Sequence, residues 1–209
     1  IILKLLYQFV YDECEKGVNN WAKKVKLLLN EYGFAFVWNN PRNIHVSSFL
    51  STFKQRVIDC FCQKWLSDIQ TNSVLNTLYV HIKDTFGEEI YLNKIVFKSA
   101  RQKVTQLRIS AHNLRIQTGR YGRERVERNE RICQLCEDRE IEDEFHFILI
   151  CKRFEDIRRK YIKKYFRERP NMLKFVELLK TSNKTNLINL SRYIKDANDK
   201  RMETFTNIF

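Results

Sequence analysis

Cys133, Cys136, His146 and Cys151 stand in a C-x2-C-x9-H-x4-C array, and no other feature of the chain constrains its fold as tightly. Thiolate and imidazole are the ligands Zn²⁺ prefers, and four of them close a tetrahedral structural site with no open position. Two cysteines separated by two residues can both point into one turn, the usual first half of such a site. A His and a Cys five apart fall within the ligand gap of the second half. Three of the six cysteines and one of the four histidines crowd into residues 133–151. A redox pair, or buried thiols beside an unrelated histidine, would leave that spacing unexplained. The expected cofactor is therefore one Zn²⁺.

The rest of the chain reads as helix. Five Gly and two Pro in 209 residues imply few tight turns and long regular elements, and 44% hydrophobic residues suffice for a core. Trp21, Val25, Leu28 and Leu29 mark one helix, ended near Gly33. Ser47 or Ser48 is placed to cap another with an inner face of Phe49, Phe53, Val57, Cys60 and Phe61. A third is expected from Val74 through Leu78 and Ile82 to Phe86, stopped at Gly87. The clearest periodicity is Phe97, Ala100, Val104, Leu107, Ala111 and Leu114, a narrow seam with small residues. Gly119 and Gly122 break it. Asp143 or a neighbour is expected near the cap of a helix carrying His146 and Cys151 in its first turns, with an apolar face continuing through Phe154 and Tyr161. Pro170 opens a helix containing Met172, Phe175, Val176 and Leu179. A last helix around Leu187–Ile194 precedes a charged tail expected to fray. The fold class expected is mainly α, a helical bundle with a small embedded CCHC zinc finger. Its parts are residues 1–96, 97–169 and 170–209.

Net charge of +13 favours polyanionic partners. Residues 98–131 hold ten basic and three acidic side chains, and 152–169 hold nine and three. Between them, 137–144 (EDREIEDE) carries six acids and one base, read as a solvated loop. Arg101, Arg108 and Arg115, seven apart, line one flank of the seam. They either contact phosphates or cover the seam edge with their aliphatic stems. Arg120, Arg123 and Arg125 continue the first basic block, where Tyr121 is placed to stack on a base. Lys152, Arg153, Arg158, Arg159 and Lys163 belong to the second block.

Catalytic chemistry is missing from the sequence. No Gly-rich phosphate loop, G-x-S-x-G elbow or Asp-Asp pair occurs, and His45, His81 and His112 stand apart from any Cys or carboxylate cluster along the chain. Cys14, Cys60 and Cys62 show no disulfide framework, which suits an intracellular compartment, nucleus or cytoplasm. No run approaches the roughly 18 apolar residues of a membrane helix. The start on Ile, apparently partway through a helix, suggests a piece of a longer polypeptide.

LRISAHNLRIQTGRY, then ERICQLCEDREIEDEFHFILIC, then a basic helix and RPNMLKFVELLK, resembles the C-terminal region of invertebrate non-LTR (LINE-like) retrotransposon reverse transcriptases. The likeness runs from about Trp21 and is most specific between residues 105 and 180. It implies a module downstream of the polymerase domain that grips element RNA or target DNA, with Cys133, Cys136, His146 and Cys151 as zinc ligands. The nine residues before the His depart from the four of the short gag-type knuckle. The nuclease that follows a related finger in some site-specific elements is lacking, so DNA cleavage is not implied. The function expected is a nucleic-acid-binding segment that positions template RNA or target DNA without catalysis of its own, partnered with the rest of a polymerase. The alternative is a zinc-stapled protein-interaction or scaffolding module.

Overall fold

The computed structural model describes residues 2–18, 20–40, 44–71, 78–121 and 125–206, with only the backbone for 2–4. It is mainly α. The described residues form no strand, only one isolated antiparallel bridge between Ile132 and Ile141. Among the described residues no helix is long and apolar enough to cross a membrane. Two compact units emerge, Ile1–Leu66 and Ser67–Phe209. The expected boundaries at 96/97 and 169/170 both fall inside the second. The reason is packing: Leu78, Ile82, Tyr91 and Ile95 share one core with Val104 and Leu107, and also with Phe175, Leu178 and Leu190.

In the first unit, α1 (Ile2–Glu15), α2 (Trp21–Glu31), α3 (Ala35–Asn39) and the start of α4 (Val46–Thr71) gather around Cys14, Ala22, Leu29, Phe34 and Trp38. Asn20 caps α2, its Oδ1 accepting from Lys23 N at 3.1 Å. Gly33, at φ 81°, ends it, and the Phe34 N–H returns to Leu29 O at 2.6 Å. That left-handed position is one a Cβ would strain. Of the apolar residues that mark this helix, Leu29 is buried while Trp21 and Leu28 are 55% and 45% exposed. The core is aromatic instead: Tyr11 stacks on Trp38 with centroids 4.9 Å apart, and Phe34 meets Phe49 and Phe53 edge-on. Ser47 and Ser48 lie within the first turn of α4, where both hydroxyls contact His45.

The second unit adds α5 (Tyr79–Ile82), α6 (Ile90–Lys94), α7 (Lys98–Arg108), α8 (Arg115–Thr118), α9 (Glu155–Tyr161), α10 (Lys164–Arg167), α11 (Met172–Lys180) and α12 (Lys184–Thr206). Helix α12 is its axis, packing on α6, α7 and α9 through Leu187, Leu190, Tyr193, Ile194 and Ala197. Tyr193 is wholly buried, and its hydroxyl donates to Phe147 O. The charged tail expected to fray is thus the second half of a 23-residue helix.

The long seam is two helices. After Arg108 the chain turns at Ser110, φ 56°, with Ser110 N donating to Leu107 O and Ala111 N to Gln106 O at 2.7 Å. This is a Schellman closure made without glycine. Its strain is offset by the Ser110 hydroxyl, which donates to Glu144 at 3.0 Å. Val104, Leu107 and Leu114 are buried as expected, whereas Phe97 is 75% exposed and Ala111 also faces out. Between Leu78 and Gly87 only Tyr79–Ile82 is helical, and Val74 and Gly122 lie outside the described residues. Helix α11 is capped by Asn171, which accepts from Lys174 N at 3.0 Å, so Pro170 stands before the cap and Met172 is exposed.

Candidate metal centre

A short hairpin and a widened helical turn build the site. Cys133 N donates to Glu140 O at 2.8 Å and Glu142 N to Arg131 O at 2.9 Å, folding 132–141 back on itself and presenting Cys133 and Cys136 from one side. Asp143 then caps the next turn as expected, accepting from His146 N at 2.8 Å. His146–Ile150 winds as a π-helical turn, closed by Cys151 N donating to His146 O at 2.7 Å. On an α-helix, residues five apart point about 140° away from each other. The i→i+5 winding brings the fifth residue back toward the first, which lets His146 and Cys151 face the same cysteines. At Cys151 the backbone leaves the helix (φ −50°, ψ 119°) before α9 begins.

The four ligand atoms lie within 4.8 Å of one another. Cys133 Sγ and Cys151 Sγ are 3.9 Å apart, and Cys136 Sγ and His146 Nε2 are 3.4 Å apart. Zn–S of about 2.3 Å and Zn–N of about 2.0 Å would set tetrahedral edges of about 3.8 Å for S···S and about 3.5 Å for S···N. The site therefore suits a metal ion of that size. None of the six cysteines forms a disulfide. Cys133, His146 and Cys151 are buried and Cys136 is half-buried.

Such a closed pocket favours a cation electrostatically. A hydrogen bond from the Cys151 thiol holds Cys133 well below the ordinary thiol range, and the same bond pushes Cys151 up. Burial raises Cys136. Burial also opposes a charge on His146, but its bonds to Cys133 and Glu140 outweigh this and raise it. Three thiols this close cannot all deprotonate against one another, whereas a bound divalent ion deprotonates them outright. Glu140, unremarkable in sequence, lies 3.2 Å from His146 Nδ1. Accepting that N–H leaves Nε2 bare toward Cys136, the orientation that metal-ligating histidines need.

The acidic loop is not the solvated segment expected. Glu142 is 1% exposed and takes a two-pronged contact from Arg201, Nε to Oε1 at 2.9 Å and Nη2 to Oε2 at 3.0 Å. Arg115 N donates to the same carboxylate at 2.8 Å. Glu144 is buried against Ser110 and His112, whose Nε2 lies 2.7 Å away. These acids tie the hairpin to α8, to α12 and to the loop between α7 and α8. Sequence reading missed them because composition alone does not separate the inward acids of a hairpin from the outward ones. Glu142 and Glu144 are two apart and both face in, yet the equally spaced Glu140 stays exposed, so the spacing gave no signal.

The arginines divide. Arg108 is buried, donating to Leu179 O at 2.6 Å and Glu89 at 2.9 Å. Arg158 is 2% exposed and donates to Ile148 O, Cys151 O and Glu155. Neither can reach a phosphate without unfolding its surroundings, which corrects two of the expected nucleic-acid contacts. Arg101 donates to Leu92 O and Ile95 O, a structural stitch rather than a free cation. Arg115 and Arg120 are half-buried, each with one enclosed nitrogen lacking a partner among the described residues. Arg123 lies outside the described residues. Exposed cations remain at Arg125, Lys152, Arg153, Arg159 and Lys163, with Tyr121 also exposed. Lys152 pairs with Asp138, Arg159 with Glu155, and Arg153 reaches Thr204. Compared with protein-family models, curated proteins and solved structures, the chain matches none of them.

Proposed function

We propose that the second unit is a zinc-stabilised nucleic-acid-binding module that positions RNA or DNA and performs no chemistry of its own. The observation that carries this reading is the closed Cys133–Cys136–His146–Cys151 cluster, whose edges fit Zn²⁺ and leave no position for a substrate. The ion would lock the hairpin to the π turn and so hold the exposed cations of 125–128 and 152–164 in one arrangement. The sequence likeness to LINE-like reverse transcriptases supports the same reading and makes template RNA or target DNA the ligand, inside the cell and beside a polymerase. Backbone recognition suits it, because Lys and Arg that neutralise phosphates bring affinity without sequence information. A specific observation also favours a second reading, a protein-docking module: Met172 and Leu173 at the start of α11 are 52% and 83% exposed.

Elemental analysis of purified protein should find about one zinc per chain, and Cys133→Ser or Cys151→Ser should lose it. Titrating nucleic-acid affinity against salt should give a steep negative slope. A zinc-loaded protein with no measurable affinity for RNA or DNA at low salt would leave the docking reading standing.

A further inference from the structure

A cleft of about 340 Å³ opens between the start of α7 and the middle of α12. Its floor is apolar, with Ile95, Ala100 and Ile188, and Phe97 and Val96 at its mouth are 75% and 76% exposed. Sequence periodicity puts Phe97 in the core; the fold turns it out. That exposure is held in place: Arg101 ties down the preceding segment through Leu92 O and Ile95 O, and Phe97 O accepts from Arg101 N at 3.0 Å. Its rim carries Arg192 and Lys195 from α12, and none of the lining residues is acidic. Lys195 does pair with Asp199 at 3.3 Å, but both are more than half exposed, and such pairs exchange partners at little cost. Past the cleft Arg192 lies near enough to Lys160 of α9 to act on it, although the Asp196 carboxylate, held by the Tyr161 hydroxyl, acts on Lys160 more strongly. Another cation-lined cleft, around Arg108, is already neutralised: Lys180 pairs with Asp84, and Lys83 and Arg108 with Glu89.

We infer that this cleft is a binding site for single-stranded nucleic acid, in which an unpaired base stacks on Phe97 over the apolar floor while flanking phosphates lie along Arg192, Lys195 and Lys160. The inference deepens the function proposed above and rests on it. An aromatic platform beside a basic track is what single strands use, because every base has a π-face and every linkage a charge. Its volume lies at the low end of ligand pockets, roughly 300–1,000 Å³, which suits one ring system. A duplex, with its bases stacked inside, cannot use Phe97.

The test measures binding of a fluorescent mixed-sequence RNA strand, alone and annealed to its complement, to the full zinc-loaded chain. Phe97→Ala should weaken single-strand binding about five- to a hundredfold and leave duplex binding unchanged. Phe97→Trp should retain or tighten it. In Arg192→Gln/Lys195→Gln the slope of log affinity against log salt should fall by about 0.7 per contact. Thermal melting should be unaltered in all three, since these side chains are exposed. If wild type binds RNA but every variant matches it, the cleft assignment falls while the module reading survives. If wild type binds no nucleic acid, both fall. Should Phe97→Ala instead lose an acidic amphipathic peptide and leave RNA affinity untouched, the cleft is a protein-docking site and the inference is wrong.

Discussion

The guanidinium of Arg158 is enclosed by the last turn of the metal region, with Nε 2.8 Å from Ile148 O and Nη2 2.6 Å from Cys151 O. Arg159, one residue on, is two-thirds exposed and pairs with Glu155 at the surface. Arg158→Gln strands two buried carbonyls and should cost about 3 kcal/mol of stability, at roughly 1–3 kcal/mol per unsatisfied group. Arg159→Gln should leave the urea midpoint where it was. Equal midpoints for both variants would mean that Arg158 is not holding the Cys151 backbone. Glu140 stands behind His146, one of the candidate ligands. Glu140→Gln weakens the acceptor that fixes the His146 tautomer, so metal affinity should drop about tenfold. The fold should be kept, because Glu140 is 55% exposed. Competition against a chromogenic chelator measures that shift.

At the scale of elements, the hairpin, the π turn and α12 depend on one another. The Glu142 carboxylate joins the hairpin to α8 through Arg115 N and to α12 through Arg201, which is 6% exposed. Removing one partner of a buried pair leaves an uncompensated charge, whereas replacing both is far less damaging. Arg201→Met should therefore cost about 3–5 kcal/mol and loosen the last turns of α12. Adding Glu142→Leu should recover part of that, unless Arg115 N becomes the dominant loss. A double-mutant cycle in urea decides it, and strict additivity would show that the two side chains do not act as a unit. Gly119 serves a similar junction: a Cβ there would stand 2.9 Å from Arg131 Cγ and 3.0 Å from Arg115 O. Arg131 needs that passage to reach Ile116 O and Val126 O.

For the whole molecule, the two cores are separate, and all four ligands belong to the second. Apparent zinc binding contributes roughly 10–16 kcal/mol in small zinc modules, comparable to or larger than the roughly 5–15 kcal/mol of a typical domain. Removing the proposed zinc should accordingly collapse protection in residues 115–161 and strongly destabilise the second unit. Amide exchange in 21–39 should not change. Exchange rising equally in both units would show that the metal supports the first unit as well, against the separation of their cores.

The Cys133–Cys136–His146–Cys151 cluster was legible because metal chemistry admits few side chains, and their spacing along the chain survives any fold. Helix position was legible where apolar period and a stop or cap agree, as at Trp21–Gly33 and in the first half of α12, while at Asp143 the cap was legible but the π winding after it was not. What the linear pattern could not carry is the partner on the other side of each contact. Phe97 continues a core period, yet α7 begins one residue later and leaves its ring outside. Arg108 and Arg158 look like surface cations until carbonyls of Leu179 and Cys151 come within reach. The six acids of 137–144 differ only in which way the hairpin points them. A charge costs too much to bury unpaired. Whether an arginine or glutamate serves the interior or the solvent is therefore decided by the distant residue that tertiary packing brings to it.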